Sequence, residues 1–280
     1  MAGRSVLCAT AALSAVLVFS PAPPAAAHAL SPAPLPAAHA DTAAGALASP
    51  AAASTLGGDD GPSARALADE ARDGLLAARS VHLRFTDHTA TARRALPASM
   101  DLALDRDGNC AGRLVMGGGG GGVELIKRGD QVWMKPDPAF WKAQVPGRQG
   151  EALAEVLKDR YIHGSTHDMI LRGMAGTCDL RAFQRQAASG SSRDIPLTKG
   201  GETVRDGVKV IPLSGTKNRR QTVLYVTSAA PHRLAEATQK GGGIDQTLTF
   251  RDYDAPVPSA TPPAADSVDV SRLRQELRNT

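Results

Sequence analysis

Two histidines stand at a spacing that could bind a metal. His163 and His167 are four residues apart, which on a helix would place both imidazoles on one face as ligands. Gly164 between them argues against a helix, and Asp168 is the one acidic residue close enough in sequence to act as a third ligand. The sequence therefore predicts no metal site, with binding at this histidine pair as the minor alternative.

Two further motifs share residue types with known catalytic or phosphate-binding motifs but lack the structural context that those motifs need. Ser214 and Lys217 have the Ser-x-x-Lys spacing of penicillin-recognising enzymes, whose serine begins a helix, but here the serine lies where a strand runs into a turn. The run Gly117–Gly122 lacks the Lys-Ser/Thr pair of a phosphate-binding loop and precedes a strand instead of a helix. Since no Gly-x-Ser-x-Gly elbow or paired carboxylates accompany them, we expect no catalytic set, no enzyme activity and no cofactor.

The N-terminus predicts export. Arg4 precedes an apolar run from Val6 to Phe19, and prolines and then Ala25-Ala26-Ala27 follow, which is the order of a secretory signal peptide. The run is shorter than the roughly 20 apolar residues that cross a bilayer. We therefore expect residues 1–27 to be a signal peptide, cleaved after Ala27 or Ala29, and no transmembrane segment.

The three cysteines are explained once the signal is removed. Cys8 lies inside the apolar run behind the bulky Leu7, where a lipid-modified cysteine requires a small residue, so we expect no lipobox and no lipid anchor. The mature protein is then secreted, and either extracellular or associated with the cell wall. Cys110 and Cys178 remain as an even pair in an oxidising compartment, which predicts a disulfide between them.

The charge of the mature chain excludes one class of partner. Losing Arg4 leaves 31 of the 32 basic residues against 28 acidic ones, a net charge of +3. This excess is small and scattered, so we expect no nucleic-acid binding. We expect a monomer.

Composition divides the mature chain into three parts. Residues 28–62 are almost wholly Ala, Pro, Ser and Gly without apolar periodicity, which predicts a disordered arm. Residues 63–258 contain the periodic apolar patterns of one folded domain. Residues 259–280 begin as a Pro- and Ala-rich stretch, and we expect a partly ordered C-terminal tail.

The domain begins with a helix and continues with strands. Apolar residues recur at helical spacing from Leu67 to Ala78 behind the start signal Pro62-Ser63. The period then changes to two, which predicts antiparallel strands with one buried face. The alternating apolar residues of the first two strands are Val81, Leu83, Phe85, Met100, Leu102 and Leu104.

Two helices interrupt the strands. Leu153, Val156, Leu157 and Tyr161 share one predicted helix face, and a second helix begins at Leu180 with Thr177 as its cap. Strands resume over 202–253. Helix, strands, two helices and strands in that order predict an α+β fold and not an alternating βαβ fold.

Several stretches of this domain resemble one family, the secreted LolA-like proteins of actinobacteria, which are related in fold to the LppX/LprG lipid-binding lipoproteins. The resemblance runs over 63–273 and rests on modest motifs in a fixed order. They are Ser80–Leu83, Met100–Leu104, Gly108–Gly112, Val132–Lys135, Phe140–Lys142, Thr177–Leu180, Thr198–Gly201, Leu224–Val226, Phe250–Tyr253 and Pro256-Val257. Unlike many relatives, this chain has no lipobox cysteine at Val18–Pro21.

The resemblance implies a strongly curved antiparallel half-barrel with helices on its concave side, enclosing an apolar cavity for a lipid or acyl chain. The expected function is a non-enzymatic carrier or sensor of such a ligand at the cell envelope. The expected cavity lining is Leu83, Phe85, Met100, Leu102, Leu104, Val223 and Tyr225. The alternative is a structural or protein-interaction domain of the envelope, with a filled core, no ligand and a protein partner.

Overall fold

Strands and short helices follow one another along the described chain, which in this computed structural model comprises residues 61–89, 96–145, 147–189 and 195–279. Within these ranges the strands are β1 (Ser80–Asp87), β2 (Pro97–Asp105), β3 (Cys110–Met116), β4 (Gly122–Arg128), β5 (Gln131–Pro136), β6 (Tyr161–Ser165), β7 (Thr198–Lys199), β8 (Thr203–Arg205), β9 (Val208–Lys217), β10 (Arg220–Thr227), β11 (Leu234–Gly241), β12 (Ile244–Arg251) and β13 (Ser267–Asp269). The α-helices are α1 (Ala64–Ala77), α2 (Pro138–Gln144), α3 (Arg148–Val156), α4 (Met169–Ala175), α5 (Leu180–Ser189) and α6 (Val270–Asn279).

The strands form one open, mixed sheet in the order β13-β6-β5-β4-β3-β2-β1-β12-β11-β10-β9-β7, with β8 paired to β9. Strands β1 to β6 are antiparallel neighbours in chain order, and so are β9 to β12. The pairing of β1 with β12 joins the two runs, and β13 adds the parallel pair with β6. This architecture confirms the expected α+β half-barrel.

The first helix begins and docks as its sequence predicts. The Ser63 hydroxyl accepts a hydrogen bond from the Ala66 N–H at 3.1 Å, which satisfies one free donor of the first turn. Leu67, Ala71 and Leu75 form its buried stripe. That stripe packs into the core formed by one face of the sheet, which we call the inner face.

The inner face is continuous across the sheet because the register keeps apolar residues opposite one another. Leu83 of β1 lies opposite Leu102 of β2 and Phe250 of β12. Phe183 of α5 packs on Phe250 with ring centroids 6.0 Å apart. The helices therefore cover this face, as the resemblance implied.

The predicted disulfide between Cys110 and Cys178 is present, with 5.5 Å between the Cα atoms. Cys110 opens β3, Cys178 ends a short 3-10 turn before α5, and both are fully buried. The bond therefore ties the helical insertion to the inner face of the sheet.

Two predictions about the helical insertion are wrong. Helix α3 ends at Val156, and Tyr161 opens β6, because Asp159 adopts a positive φ of 59° that reverses the chain between them. Thr177 does not cap α5: its hydroxyl donates to the Met174 carbonyl, and the Asp179 carboxylate accepts from the Ala182 N–H at 2.8 Å instead. The sequence also left α2 and α4 unpredicted.

The C-terminal residues are part of the sheet. Residues 252–266, here called the strap, cross from β12 to the far edge, where β13 pairs with β6. Val268, Val270 and Leu273 are buried there, so order extends well past residue 258. The expected signal peptide and arm lie outside the described residues, apart from Gly61 and Pro62.

Candidate functional site

Five of the residues expected to line a cavity lie together on the inner face. Leu83, Phe85, Met100, Leu102 and Leu104 are each only 1–2 % exposed. They belong to the same buried cluster as the stripe of α1 and the apolar residues of α5. In this state they are packed as core.

The other two expected lining residues lie on the opposite face. Leu224, not Val223 or Tyr225, continues the inner row, because it lies opposite Ala237, which in turn lies opposite Leu248 of β12. Tyr225 is on the outer face, where the Arg205 guanidinium stacks 4.5 Å from its ring centroid. The expectation for Val223 and Tyr225 is therefore corrected by the register of β10.

A small space remains on the inner side between α1 and strands β10 and β11, and we call it the inner pocket. Its volume is about 70 Å³. Its apolar lining is formed by Ala68, Ala71 and Leu75 of α1, Leu224 of β10, Leu234 and Ala237 of β11, and Ala187, Ile195 and Leu197. Pockets for drug-sized ligands measure roughly 300–1,000 Å³, so this space is the size of a few water molecules.

Polar atoms without partners face the same region. Among the described residues, Arg72 Nε, Thr222 Oγ1 and Gln239 Oε1 are buried and accept or donate no hydrogen bond. All three residues line the inner pocket, and Gln239 is only 4 % exposed. Each such group costs about 1–3 kcal/mol when it is left unsatisfied, so water or a polar ligand atom is expected to meet them.

Helix α1, which covers the inner pocket, is held differently at its two ends. Near its C-terminus, the buried Gln184 side chain of α5 donates to the carbonyls of Leu75 at 3.0 Å and Ala78 at 2.8 Å. Along the rest of the helix, Arg65 near the N-terminus donates to the Ile195 carbonyl at 2.5 Å, the Glu70 carboxylate accepts from the His232 N–H at 2.9 Å, and Arg72 donates to the Ala188 carbonyl at 2.6 Å. The pocket lining of α1 extends from Arg65 to Leu75, so the buried contact with Gln184 lies at one end of this lining and the other three contacts lie along it.

The other motifs singled out in the sequence have structural roles. His163 lies in β6, stacks on Trp133 with centroids 4.7 Å apart, and shares a 2.7 Å hydrogen bond with Gln131. Ser214 and Lys217 lie within β9, and the glycine run forms the β3–β4 hairpin tip with positive φ at Gly118, Gly119 and Gly121. In the described part of the chain, no group of three or more His, Cys, Asp or Glu side chains is arranged for a metal ion.

No described helix combines the length and the apolar character that crossing a bilayer requires. No protein-family model matches the chain, and no curated protein matches its sequence.

Solved structures to which the chain is similar include two lipoproteins and a lipoprotein-sorting domain. The Mycobacterium tuberculosis lipoprotein LppX is 16 % identical, with a TM-score of 0.43 over 70 % of this chain and 98 % of its own. LprF from Mycobacterium bovis is 15 % identical, with a TM-score of 0.47 over 71 % and 96 %. A putative outer membrane lipoprotein-sorting protein domain from Vibrio parahaemolyticus is 12 % identical, with a TM-score of 0.23 over 67 % and 90 %.

Each of these likenesses has a TM-score below 0.5. At such identities the likeness concerns the fold alone, so function has to be argued from the site itself.

Proposed function

We propose that the protein is a secreted, non-enzymatic carrier of the cell envelope, which takes up an apolar ligand with one polar end in the inner pocket. The observation that carries this proposal is the meeting of an apolar lining with the unpartnered atoms of Arg72, Thr222 and Gln239. Ligand sites commonly combine an apolar wall with a few polar groups that fix orientation. The polar end of the ligand would bind these three groups, and its apolar part would lie against Leu224 and Leu234.

Uptake of such a ligand requires α1 to move, because the pocket holds about 70 Å³ when closed. The C-terminal end of α1 is fixed by the buried Gln184 side chain, whereas Arg65 and Arg72 hold the helix to the Ile195 and Ala188 carbonyls. An outward tilt of α1 about the end held by Gln184 would enlarge the space above Leu224 and Ala237. A ligand shifts this equilibrium by as much as it binds the open form more tightly than the closed form.

A second candidate function, a protein-interaction domain with a filled core, is favoured by the same small volume. Leu83, Leu102 and Leu104 leave no space among themselves and the helices, since each is 1 % exposed. The two candidates differ in whether α1 admits a ligand.

The test is a titration of the delipidated mature protein with 1-decanol, which has an apolar chain and one hydroxyl. Binding is followed by methyl NMR and calorimetry. We expect saturable 1:1 shifts of the Leu224 and Leu234 methyl signals. We expect Ala237→Leu, which fills the pocket, to weaken binding at least tenfold. The matched control Val223→Leu enlarges a side chain on the outer face of the neighbouring strand, and it should change the affinity less than twofold.

The carrier proposal fails if decanol leaves these methyl signals unmoved up to saturation while the protein remains folded. It also fails if Ala237→Leu and Val223→Leu bind decanol equally well. Either result leaves the filled-core candidate.

A further inference from the structure

The outer face of the sheet contains a second, larger concavity, which we call the outer groove. It has a volume of about 700 Å³ and lies between strands β1 to β4 and the strap residues Ala255 to Pro258. This volume falls within the range of roughly 300–1,000 Å³ that ligand sites occupy. Four strands at ordinary spacing give it a length of about 14 Å.

The floor of the outer groove is made of small and apolar side chains. Ala103 of β2, Ala111 of β3 and Ile126 of β4 lie opposite one another in register, and all three line the groove. The small side chains of Ala103 and Ala111 on neighbouring strands leave space above the sheet, and Gly112 lets β2 and β3 approach closely. A Cβ at Gly112 would lie 2.0 Å from the Asp101 carbonyl oxygen. The concavity is therefore built into the strands themselves.

The strap forms one wall of the groove and is firmly attached. The Asp254 carboxylate accepts from the Arg79 N–H at 2.7 Å, the Asp254 N–H donates to the Ser80 carbonyl at 3.0 Å, and the Ser80 hydroxyl donates to the Ala255 carbonyl. Tyr253, the residue before Asp254, is also held in place, since its hydroxyl donates to the Leu234 carbonyl at 2.7 Å. Burial raises the pKa of Tyr253 well above its ordinary value, so the hydroxyl keeps its proton as a donor.

The opposite wall is a row of charges that alternate in sign from strand to strand. Arg84, Asp101, Arg113, Glu124 and Lys135 occupy successive strands β1 to β5 in register. Of these, Asp101, Arg113 and Glu124 line the groove. Such cross-strand pairs of opposite charge usually neutralise one another.

The carboxylates lining the groove are already engaged. Asp101 accepts from Arg84 at 2.7 Å and also bonds His82. Glu124 pairs with Lys135 at 3.1 Å and accepts from the Tyr161 hydroxyl at 2.9 Å. The remaining lining carboxylate, Asp252, lies 3.3 Å from the other ring nitrogen of His82.

The guanidinium of Arg113 differs from its neighbours in this row. Arg113 is exposed, and among the described residues it has no hydrogen bond and no ion pair, although it lines the groove between two carboxylate-bearing positions and its Nη2 lies beside Gly122, near the Asp137 carboxylate. Guanidinium groups bind carboxylates through two parallel hydrogen bonds and are suited to a planar anion. The groove thus offers an exposed guanidinium that forms no ion pair with a described residue, beside an apolar floor.

We propose that the outer groove binds a small amphipathic carboxylate, whose anionic end pairs with Arg113 and whose apolar body lies over Ala103, Ala111 and Ile126 beneath the strap. This site is on the face opposite the inner pocket and does not depend on the carrier proposal.

The experiment compares decanoate, 1-decanol and decyltrimethylammonium on the full mature protein at pH 7.5, with binding located by NMR. We expect decanoate to shift the Ile126 δ1 methyl and Arg113 Nε–H signals in a saturable way. Decanol and the cation should bind the groove at least tenfold more weakly. In the same titrations, the Leu224 and Leu234 methyl signals report binding to the inner pocket separately.

Two variants test the two parts of the groove. Arg113→Gln should weaken decanoate binding at Ile126 at least tenfold, and Ala111→Leu should do the same by filling the floor. The matched control Arg251→Gln removes a positive charge on the same face at a β12 residue that does not itself line the groove, and it should change the affinity less than twofold. Ala237→Leu, which fills the inner pocket, should leave binding at Ile126 unchanged.

The inference is overturned if decanoate shifts only the inner-pocket methyls. It is also overturned if all three decyl compounds bind the groove equally, or if Arg113→Gln and Arg251→Gln behave alike. Loss of decanol binding at Leu224 with intact decanoate binding at Ile126 would reject the carrier proposal and keep this one. Decanol binding at Leu224 without decanoate binding at Ile126 would keep the carrier proposal and reject the outer groove as a carboxylate site.

Discussion

Gln184 is the side chain whose replacement should reveal how α1 is held on the sheet. Its amide nitrogen donates to the Leu75 and Ala78 carbonyls, and its amide oxygen accepts from Arg106 Nε at 3.2 Å. These carbonyls belong to the last turn of α1, which has no further helical N–H groups to satisfy it. In Gln184→Leu a side chain of similar size fills the site but donates nothing.

The expected loss of stability in Gln184→Leu follows from those hydrogen bonds. Two hydrogen bonds contribute about 1 kcal/mol each, and buried carbonyls left without a donor add to this, so we expect the free energy of unfolding to fall by about 2–4 kcal/mol. With a urea slope of about 2 kcal/mol per molar, the unfolding midpoint should fall by about 1–2 M. Circular dichroism during urea unfolding at pH 7 measures the shift.

The control is Gln186→Leu, the same substitution two residues further along α5 at a half-buried position. It should change the free energy of unfolding by about 0.5 kcal/mol or less. If the two variants unfold at the same urea concentration, Gln184 does not hold the end of α1, and the proposed tilt of the helix about that end is refuted.

Two further predictions concern the disulfide and the outer face. The double variant Cys110→Ser/Cys178→Ser opens a loop of 68 residues and should lower the free energy of unfolding by about 4 kcal/mol in the chain-entropy description. Reduction of the disulfide in the natural protein should have the same effect. Equal urea midpoints for the variant and the natural protein would contradict this prediction. Burial alone would raise the pKa of Asp101, but the hydrogen bonds and positive charges of His82 and Arg84 outweigh it and lower that pKa below its ordinary value. Because the folded state has the lower pKa, this contribution is complete above about pH 4 and disappears as the pH falls through the folded pKa. Asp101→Asn should therefore be less stable than the natural protein at pH 7 and approach it in acid, as measured by urea unfolding at several pH values.

The alternating strands and the disulfide could be predicted because both depend on local patterns or on simple counting. In β1 and β2 each apolar residue is followed by a polar or small one, so the buried face is unambiguous. In β10 the run Val223 to Val226 is apolar throughout, and only the register with β11 shows that Leu224 faces inward. The start of α2 also has a local sequence signal, since Asp137 caps it and Pro138 is its first residue.

The two concavities could not be predicted in the same way. The inner pocket depends on polar atoms from α1, β10 and β11 that meet only in the folded chain. In the outer groove, Ala103 and Ala111 fit the ordinary alternation of a solvated strand face, and nothing local shows that the strap crosses above them. Both sites arise from contacts between segments more than 100 residues apart in the sequence.

The last strand also affects how the protein avoids associating with itself. Without β13, β6 would end the sheet with a row of unpaired N–H and C=O groups, which is a template for intermolecular strand pairing and aggregation. The parallel pairs of Ser267, Val268 and Asp269 with Tyr161, Ile162 and His163 cover part of that row, and α6 follows directly. A chain shortened to residue 258 would retain the disulfide and most of the core but expose this edge. The C-terminal residues thus protect the fold against edge-to-edge assembly.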